Sequence, residues 1–383
     1  MDFNFKDEQL MIQKTAREFA KKELEPVAST LDKTKDFSIL ISNIKKMAGL
    51  GFMGLAVPEH YGGVEAGAVA YSLALTEIGK VCASTAVTMS VTNMVAELLV
   101  EFGTESQKQK YLPKLLSGEY VAGSFGLTES SAGSDPTGMK TTAFENKNGY
   151  LINGSKLFIT SAEYAGLIIV WAVTDKQAPR GKGMSTFIVE RGTPGFTIGK
   201  NEEKMGQRGS ATNEVIFENC QIPKENLLGR LNDGYRIALT ELSGGRIGIG
   251  SLAVGIGRGA MDFATSYAKE RIQFGHPIAS FQALQWMIAD SYTELEAAQL
   301  LILRAAFLKE TGQPYGCEAA MGKLFASESA NRACYRAVQM LGGYGYVEEY
   351  PVERYYRDAR VTTIYEGTSE IQRLVIARSI LKS

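Results

Sequence analysis

The run Ile364-Tyr365-Glu366-Gly367-Thr368-Ser369-Glu370-Ile371-Gln372-Arg373 sets one carboxylate immediately before a glycine and the start of a last helix. Gly367 has no Cβ, so a ligand can approach its backbone closely, and a helix beginning at Thr368 or Ser369 aims unpaired N–H groups outward. A carboxylate and anion-binding donors then meet at one point, an arrangement suited to a catalytic base. The same residues also read as local structure alone, with Ser369 and Gln372 forming a capping box and Glu366 facing the helix dipole.

Upstream of this run the chain is helical back to Asn232, in stretches near Gly234 to Arg271, Ile278 to Thr311 and Gly316 to Leu341. Breaks fall at His276-Pro277, at Gly312 with Pro314, and at Gly342-Gly343-Tyr344-Gly345. Long helices with short connections predict a bundle of antiparallel neighbours over residues 231–383. Between about Tyr120 and Arg230 the pattern is short β-type runs, Leu167 to Val173, Thr186 to Val189 and Glu214 to Phe217 among them. Asn153-Gly154 between Tyr150-Leu151-Ile152 and Lys156 to Ile159 reads as a two-residue hairpin turn. From Lys6 to about Leu116 the pattern is helical again, broken at Pro26, Pro58 with Gly62-Gly63, and Gly103. The expected architecture is α+β and multidomain: an all-α unit at 1–118, a small β-barrel or sandwich at 119–230, and a four-helix bundle at 231–383.

With 383 residues, 45% of them hydrophobic, two or three packed units can be buried. The balance of 41 basic against 42 acidic residues leaves no electrostatic footprint for nucleic acid or an anionic membrane. Cys82, Cys220, Cys317 and Cys334 fit no metal or redox spacing and read as reduced thiols. His60 and His276 are the two imidazoles, which weighs against a nucleophilic triad or a histidine-rich metal site. The chain leads quickly into an amphipathic helix with Ile12, Ala16, Phe19 and Ala20 on one face, and no apolar run approaches the ~20 residues of a bilayer span, so a cytoplasmic location is expected. Chemistry has to lean on carboxylates or a cofactor.

The stretch after Asn232 carries Gly244, Gly245, Gly248, Gly250, Gly255, Gly257 and Gly259, each costing roughly 1 kcal/mol relative to alanine in a helix. Close helix packing accounts for Gly255 and Gly259; for Gly244 to Gly248 either packing or the approach of a bulky ligand serves. The loop Phe125-Gly126-Leu127-Thr128-Glu129-Ser130-Ser131-Ala132-Gly133-Ser134-Asp135 is rich in hydroxyls and backbone donors. Arg246 reads by itself as a surface salt-bridge partner. Arg271, Phe274 and Gln339 to Gly343 read as helix ends.

Four stretches together, the Tyr365-Glu366-Gly367-Thr368 run, the Phe125 to Asp135 loop, Phe158-Ile159-Thr160, and the Arg271/Gln282/Gln339 set, resemble the acyl-CoA dehydrogenase family over essentially the whole chain, its short-chain butyryl-type members above all. The resemblance implies FAD as cofactor and Glu366 as the base that removes the α-proton of an acyl-CoA thioester. It further implies that Phe125, Leu127, Thr128, Phe158, Ile159 and Thr160 touch the flavin ring, with Ser134 between flavin and CoA. Ser130 stands where the family usually has proline, and Phe158 where it usually has tryptophan. Arg271, Phe274, Gln282, Gln339, Leu341, Gly342 and Gly343 would hold the pyrophosphate and adenosine half of FAD bound to a neighbouring subunit, in a tetramer. Thr368 and Glu370 carry over as further cofactor contacts. Ser243 and Arg246 would face CoA, although the short-chain members have aspartate where this chain has Ser243. Thr88, Val91, Tyr365 and Gly367 would line the acyl site, whose apolar floor at Val91 suits a short, a branched or a cyclic acyl chain. The resemblance implies oxidation to a trans-2-enoyl-CoA with electrons passed to an electron-transfer flavoprotein; an oxidase on the same scaffold and a non-catalytic acyl-CoA or flavin-binding protein are the alternatives.

Overall fold

Apolar periodicity sets the first layer. The computed structural model describes residues 4–382. Helix α1 (Asp7–Phe19) buries Ile12, Ala16 and Phe19 on the expected face. After α2 (Ala28–Thr34) and α3 (Phe37–Gly49) come α4 (Gly67–Gly79), α5 (Ala83–Phe102) and α6 (Glu105–Leu116), and α4 is buried on nearly every side. Contrary to the sequence expectation, α5 is long and apolar enough to cross a bilayer; its burial inside the chain accounts for that composition, as for a core helix.

The middle of the chain is one sheet. Its strands are β1 (Gly123–Gly126), β2 (Thr142–Asn146), β3 (Gly149–Thr160), β4 (Leu167–Val173), β5 (Met184–Glu190), β6 (Phe196–Asn201), β7 (Thr212–Ile222) and β8 (Leu227–Leu228). They run in the order β6-β7-β3-β2-β4-β5-β8, with β1 parallel to β4. Tyr150 on β3 and Phe187 on β5 lie three strand steps apart, which in a flat sheet means roughly 14 Å. Their ring centroids are 5.0 Å apart, so the sheet curls around its own core.

The hairpin expected at Asn153-Gly154 is not there. Strand β3 runs straight through that dipeptide, and the β2–β3 turn falls at Lys147-Asn148, closed by Asn146 opposite Gly149. Asn153-Gly154 instead marks an irregularity against β7: Asn153 Oδ1 accepts from the Asn219 N–H at 2.8 Å, and Gly154, at φ +140°, has Thr141 Cα where a Cβ would lie 2.7 Å away. A second shift, between Lys156 and Ile159, brings Phe158 to φ +59° and leaves it exposed.

Helix α7 (Gly234–Glu270) begins the last unit, and a small ribbon of β9 (Ile272–Gln273) and β10 (His276–Pro277) follows. Next are α8 (Gln282–Glu310), α9 (Gly316–Leu341), α10 (Val352–Arg360) and α11 (Ser369–Lys382). Helix α8 starts at Gln282 rather than Ile278 because Ile278–Ser280 forms a separate 3-10 turn. Helix α7 packs against α4, α5, α8, α9 and α10, and its glycines permit this. A Cβ on Gly255 would lie 2.4 Å from the Thr76 carbonyl oxygen, and one on Gly259 2.2 Å from that of Lys80. Those two are packing glycines, as expected. Gly244, Gly245 and Gly248 make room for side chains of this chain: Lys309, Glu366 and Tyr71 respectively.

Gly255→Ala meets backbone atoms, which cannot rotate away, so it should cost roughly 1–3 kcal/mol, the range for overpacking. Gly138→Ala, with nothing within 4 Å and no positive φ, should stay within about 0.5 kcal/mol of the parent. Chemical denaturation of both variants measures the contrast, and equal stabilities would contradict the packing account.

Candidate active site

The Tyr365-Glu366-Gly367 segment leaves α10 through a 3-10 turn at Val361–Thr363 and enters α11. Gln207, from the loop between β6 and β7, clamps its start: Nε2 donates to the Asp358 carbonyl at 3.2 Å and to the Tyr365 hydroxyl at 3.0 Å. Glu366 and Gly367 then take consecutive left-handed conformations, φ +55° and +88°. Such a backbone is natural for glycine and strained for glutamate. It is held by Gln372, whose Nε2 donates to the Glu366 carbonyl at 3.0 Å and the Gly367 carbonyl at 2.9 Å, and by the Lys323 ammonium, which donates to the Gly367 carbonyl at 2.8 Å. The expected Ser369/Gln372 capping box therefore does not form. Thr368 caps α11, its Oγ1 accepting from the Ile371 N–H at 3.3 Å, and Gln372 reaches back to the carbonyls instead.

Although Glu366 as a whole is half-buried, its Oε2 is sealed from solvent and has no hydrogen-bond partner among the described residues. It lies 2.6 Å from where a Cβ on Gly245 would be, beside Met94 of α5. Burial pushes the carboxyl up to about 7, against the pull of Arg246 and Lys323. Arg246 is not the surface residue its sequence setting suggests: it is 6% exposed, with Nε unpartnered, and it faces Glu366. The Glu366 N–H makes no hydrogen bond among the described residues.

The flavin-loop candidates come together where the end of β1 and the residues after it meet the end of β3. Phe125 on β1 packs on Trp171 at 4.4 Å between centroids, and Trp171 Nε1 donates to the Gly234 carbonyl at 2.8 Å, tying the sheet to the start of α7. The Thr128 carbonyl accepts from the Leu157 N–H at 2.9 Å, which sets Leu127 and Thr128 beside Phe158, Ile159 and Thr160. Leu127 and Ile159 are buried, whereas Phe158 is 58% exposed. The hydroxyls of Thr128 and Thr160 are engaged by no group among the described residues. Ser134 lies on the exposed loop beyond.

A second set gathers elsewhere. Arg271, Phe274, Gln339, Leu341, Gly342 and Gly343 line an open groove of about 960 Å³, in which the Arg271 guanidinium lies 5.5 Å from the Tyr344 ring centre. Gln282 is exposed just outside it. No residue of β1 to β3 lines this groove. Thr368 and Glu370 line a separate hollow of about 430 Å³ with Arg332 and Arg360. Thr88 is fully buried, its hydroxyl engaged by Ser84, Tyr164 and Ser210, and Val91 is buried near it. Ser243 Oγ donates to the Leu239 carbonyl at 3.0 Å.

Profiles for the acyl-CoA dehydrogenase N-terminal, middle and C-terminal domains match residues 6–119, 124–220 and 232–381. The chain belongs to the acyl-CoA dehydrogenase family. It is 47% identical over 384 residues to the acryloyl-CoA reductase (NADH) of Anaerotignum propionicum, covering 100% of this chain and 96% of that one. It is 45% identical to the short-chain specific acyl-CoA dehydrogenase of Clostridium acetobutylicum, with both chains fully covered. Among solved structures, butyryl-CoA dehydrogenase from Megasphaera elsdenii superposes with TM-score 0.96 at 42% identity, both chains fully covered. A chain in a structure described as the electron transferring flavoprotein of Acidaminococcus fermentans superposes with TM-score 0.98 at 47% identity, again over both full lengths. A Bacillus anthracis acyl-CoA dehydrogenase complexed with FAD gives 0.93 at 34%, covering 99% of this chain and 67% of that one. This protein is accordingly a flavin-dependent acyl-CoA dehydrogenase, and the residues present fit the family's cofactor, FAD. An exposed, strained Phe158 and two unengaged hydroxyls offer a flat apolar surface with polar contacts for a ring. The Arg271 groove, with open space over Gly342 and Gly343, offers a cation and close backbone approach for a phosphate.

Sequence reading missed several residues that build the site. Lys323 is fully buried in α9, and a lone lysine among the small residues of Ala319 to Ala326 was the available signal. Glu129, inside the flavin loop, is buried and accepts from the Lys156 ammonium at 2.8 Å and the Thr141 N–H at 3.0 Å; Lys156 holds its carboxyl below the ordinary range. That ion pair fixes the loop to β3.

Glu241, one turn before Gly245 on α7, is 2% exposed with Oε1 unpartnered. Burial first, and then Glu97, push its carboxyl well above the ordinary value of 4.5. A carboxyl raised by folding favours the native state fully below its unfolded value and loses that contribution as pH rises toward the folded one. Glu241→Gln should therefore unfold at the parent temperature at or below pH 4.5 and at an increasingly higher temperature than the parent as pH rises above it. Thermal melts across that range check this; a difference that stays constant or shrinks with pH would contradict it.

Proposed function

We propose that this chain oxidises the Cα–Cβ bond of a short-chain acyl-CoA, with Glu366 taking the α-proton and a trans-2-enoyl-CoA leaving. The observation that supports it best is the Glu366 carboxylate: buried, with one oxygen free of any partner, and raised to about 7. A general base works best near the operating pH, and a carboxyl at its ordinary value would be far too weak for an α-proton. The carbanion still needs stabilising as it forms. The unengaged Glu366 N–H is a donor for the thioester oxygen, of the kind worth ~3–4 kcal/mol when preorganised. FAD, when bound, supplies the acceptor for the hydride from the β-carbon. Phe125, Leu127, Thr128, Phe158, Ile159 and Thr160 would hold its ring, with Ser134 at the edge shared with CoA. The Arg271 groove, Thr368 and Glu370 would hold the remainder, the groove acting on FAD bound to another copy in a tetramer.

Short chain length is supported by the short-chain and butyryl-type relatives and by the apolar Val91 near the expected floor. An electron-transfer flavoprotein as redox partner is supported by the likeness to the Acidaminococcus fermentans chain. The Anaerotignum propionicum relative is named a reductase, which favours a second reading in which the same groups act in reverse on an enoyl-CoA. Glu366 would then deliver the α-proton.

Anaerobic mixing with butyryl-CoA, followed by flavin bleaching, tests the assignment. Glu366→Gln should keep its flavin and lose reduction by roughly 10²–10⁴-fold. In the parent, where the carboxylate is the active form, kcat/KM should climb with pH and level off above about 7. Turnover retained by Glu366→Gln would remove the base from the mechanism.

A further inference from the structure

Lys323 sits in mid-helix α9 with 0% exposure, and among the described residues its ammonium makes one hydrogen bond, the 2.8 Å contact to the Gly367 carbonyl. A buried ammonium without a contact carboxylate is expensive, of the order of several kcal/mol. Something must offset that cost. The groups that face it are the Glu366 carboxylate, Arg246, Glu370 and Glu328. Glu328 is already engaged by Arg373 at 2.7 Å, and Glu370 is exposed in the first turn of α11. From the other elements, Arg246 and Glu241 of α7 and Tyr71 of α4 also face Glu366. Lys323 and Arg246 are thus two buried cations set around one carboxylate, neither within ion-pair contact of it.

We propose that Lys323 is a positioning residue for proton abstraction: through the Gly367 carbonyl it holds Glu366 in its left-handed backbone, and through its charge it stabilises the carboxylate form. This rests on the reading of Glu366 as the base. The hydrogen bond to Gly367 carries the first part, and the second follows from a buried ammonium held one residue from Glu366 with no contact carboxylate of its own among the described residues. The Gly367 carbonyl has two donors, Lys323 and Gln372, and Gln372 is shared with the Glu366 carbonyl. Removing Lys323 leaves one amide to secure two left-handed residues, the first of them strained. It also removes one of two positive charges opposing the desolvation of Glu366, and an opposite charge near a carboxyl is worth about 1–3 pKa units.

The test uses the FAD-loaded protein with Lys323→Met, Lys323→Gln and Lys323→Arg. Flavin reduction by butyryl-CoA is followed against pH, and Glu366 is titrated directly by its carboxyl-stretch infrared band, with Glu366→Gln as the subtraction reference. In Lys323→Met the midpoint of both curves should rise by about one unit and reduction at pH 7 should fall about fivefold, at unchanged flavin content. Lys323→Gln, which keeps a donor but no charge, should show the same rise, and it carries the test alone if the methionine variant does not fold. Lys323→Arg should bring the midpoint back to the parent value. A slower reaction with both midpoints unmoved means a structural lysine and overturns the proposal, as does an unmoved infrared midpoint alone. Turnover retained by Glu366→Gln would instead defeat the base assignment, and the infrared curves would still decide whether Lys323 acts on Glu366.

Discussion

One oxygen atom, Glu366 Oε2, lies against the bare Cα of Gly245 with no donor to meet it, and the surrounding helices are arranged about that vacancy of partners. Desolvation alone would leave this carboxyl protonated at neutral pH, and a contact ion pair would hold it ionised but make it a poor base. Arg246 on α7 and Lys323 on α9 pull on it without touching it, and the balance falls near 7. The separation of those cations from the carboxylate is set by three helices, α7, α9 and α11, so backbone packing tunes the group's proton affinity.

That packing depends on α7. A helix with glycine at so many positions has little stability of its own, and its order comes from the five helices it touches. Its two ends serve different purposes. Near Gly255 and Gly259 the missing side chains let α7 press on the Thr76 and Lys80 backbone; near Gly244 and Gly245 they admit the ends of Lys309, Glu97 and Glu366. The sheet is coupled to the same spine through the Trp171 indole on Gly234, and to the base through Gln207 on Tyr365. A β-domain that carries the proposed ring site is thereby held in register with a helical domain that carries the base.

Much of this was legible in the sequence, where local signals and tertiary demands agree. Helix spans followed apolar periodicity, and α9 runs from Gly316 to Leu341 as expected because both ends carry breakers. Asn153-Gly154 misled because the dipeptide that suits a hairpin turn also suits a bulge, and pairing of β3 with β7 over its whole length decided between them. Arg246 was unreadable, and Lys323 nearly so, for another reason. A cation in a helix carries no direct mark of burial, the small residues around Lys323 being only a hint of it, and the fold alone reveals that each faces a carboxylate rather than water. The Arg271, Phe274 and Gln339 set was legible as a group through the family likeness, whereas from the residues alone it reads as helix ends, and the chain does form a groove from most of them.

Phe158, Phe274 and Glu366 share an uncommon property: each is a bulky residue in left-handed backbone, at φ +59°, +55° and +55°. Such conformations cost roughly 1–3 kcal/mol and persist where surroundings over-determine them. For Glu366 the surroundings are visible, in Gln372 and Lys323. For the two aromatics the backbone cause is equally local: Phe274 and Gly275 form the two-residue turn of the β9–β10 ribbon, and Phe158 sits in the register shift of β3 against β7, while the rings themselves stand 91% and 58% exposed. The turn and the bulge fix the backbone, and what they leave outward is apolar ring surface, which gains free energy when it is covered. The two rings stand apart, Phe158 beside the end of β1 and Phe274 in the Arg271 groove, which no residue of β1 to β3 lines; a FAD held at both, as proposed, would span two copies of the chain. On the proposed reading cofactor binding and assembly would be coupled, because covering both rings with one FAD would require the second copy.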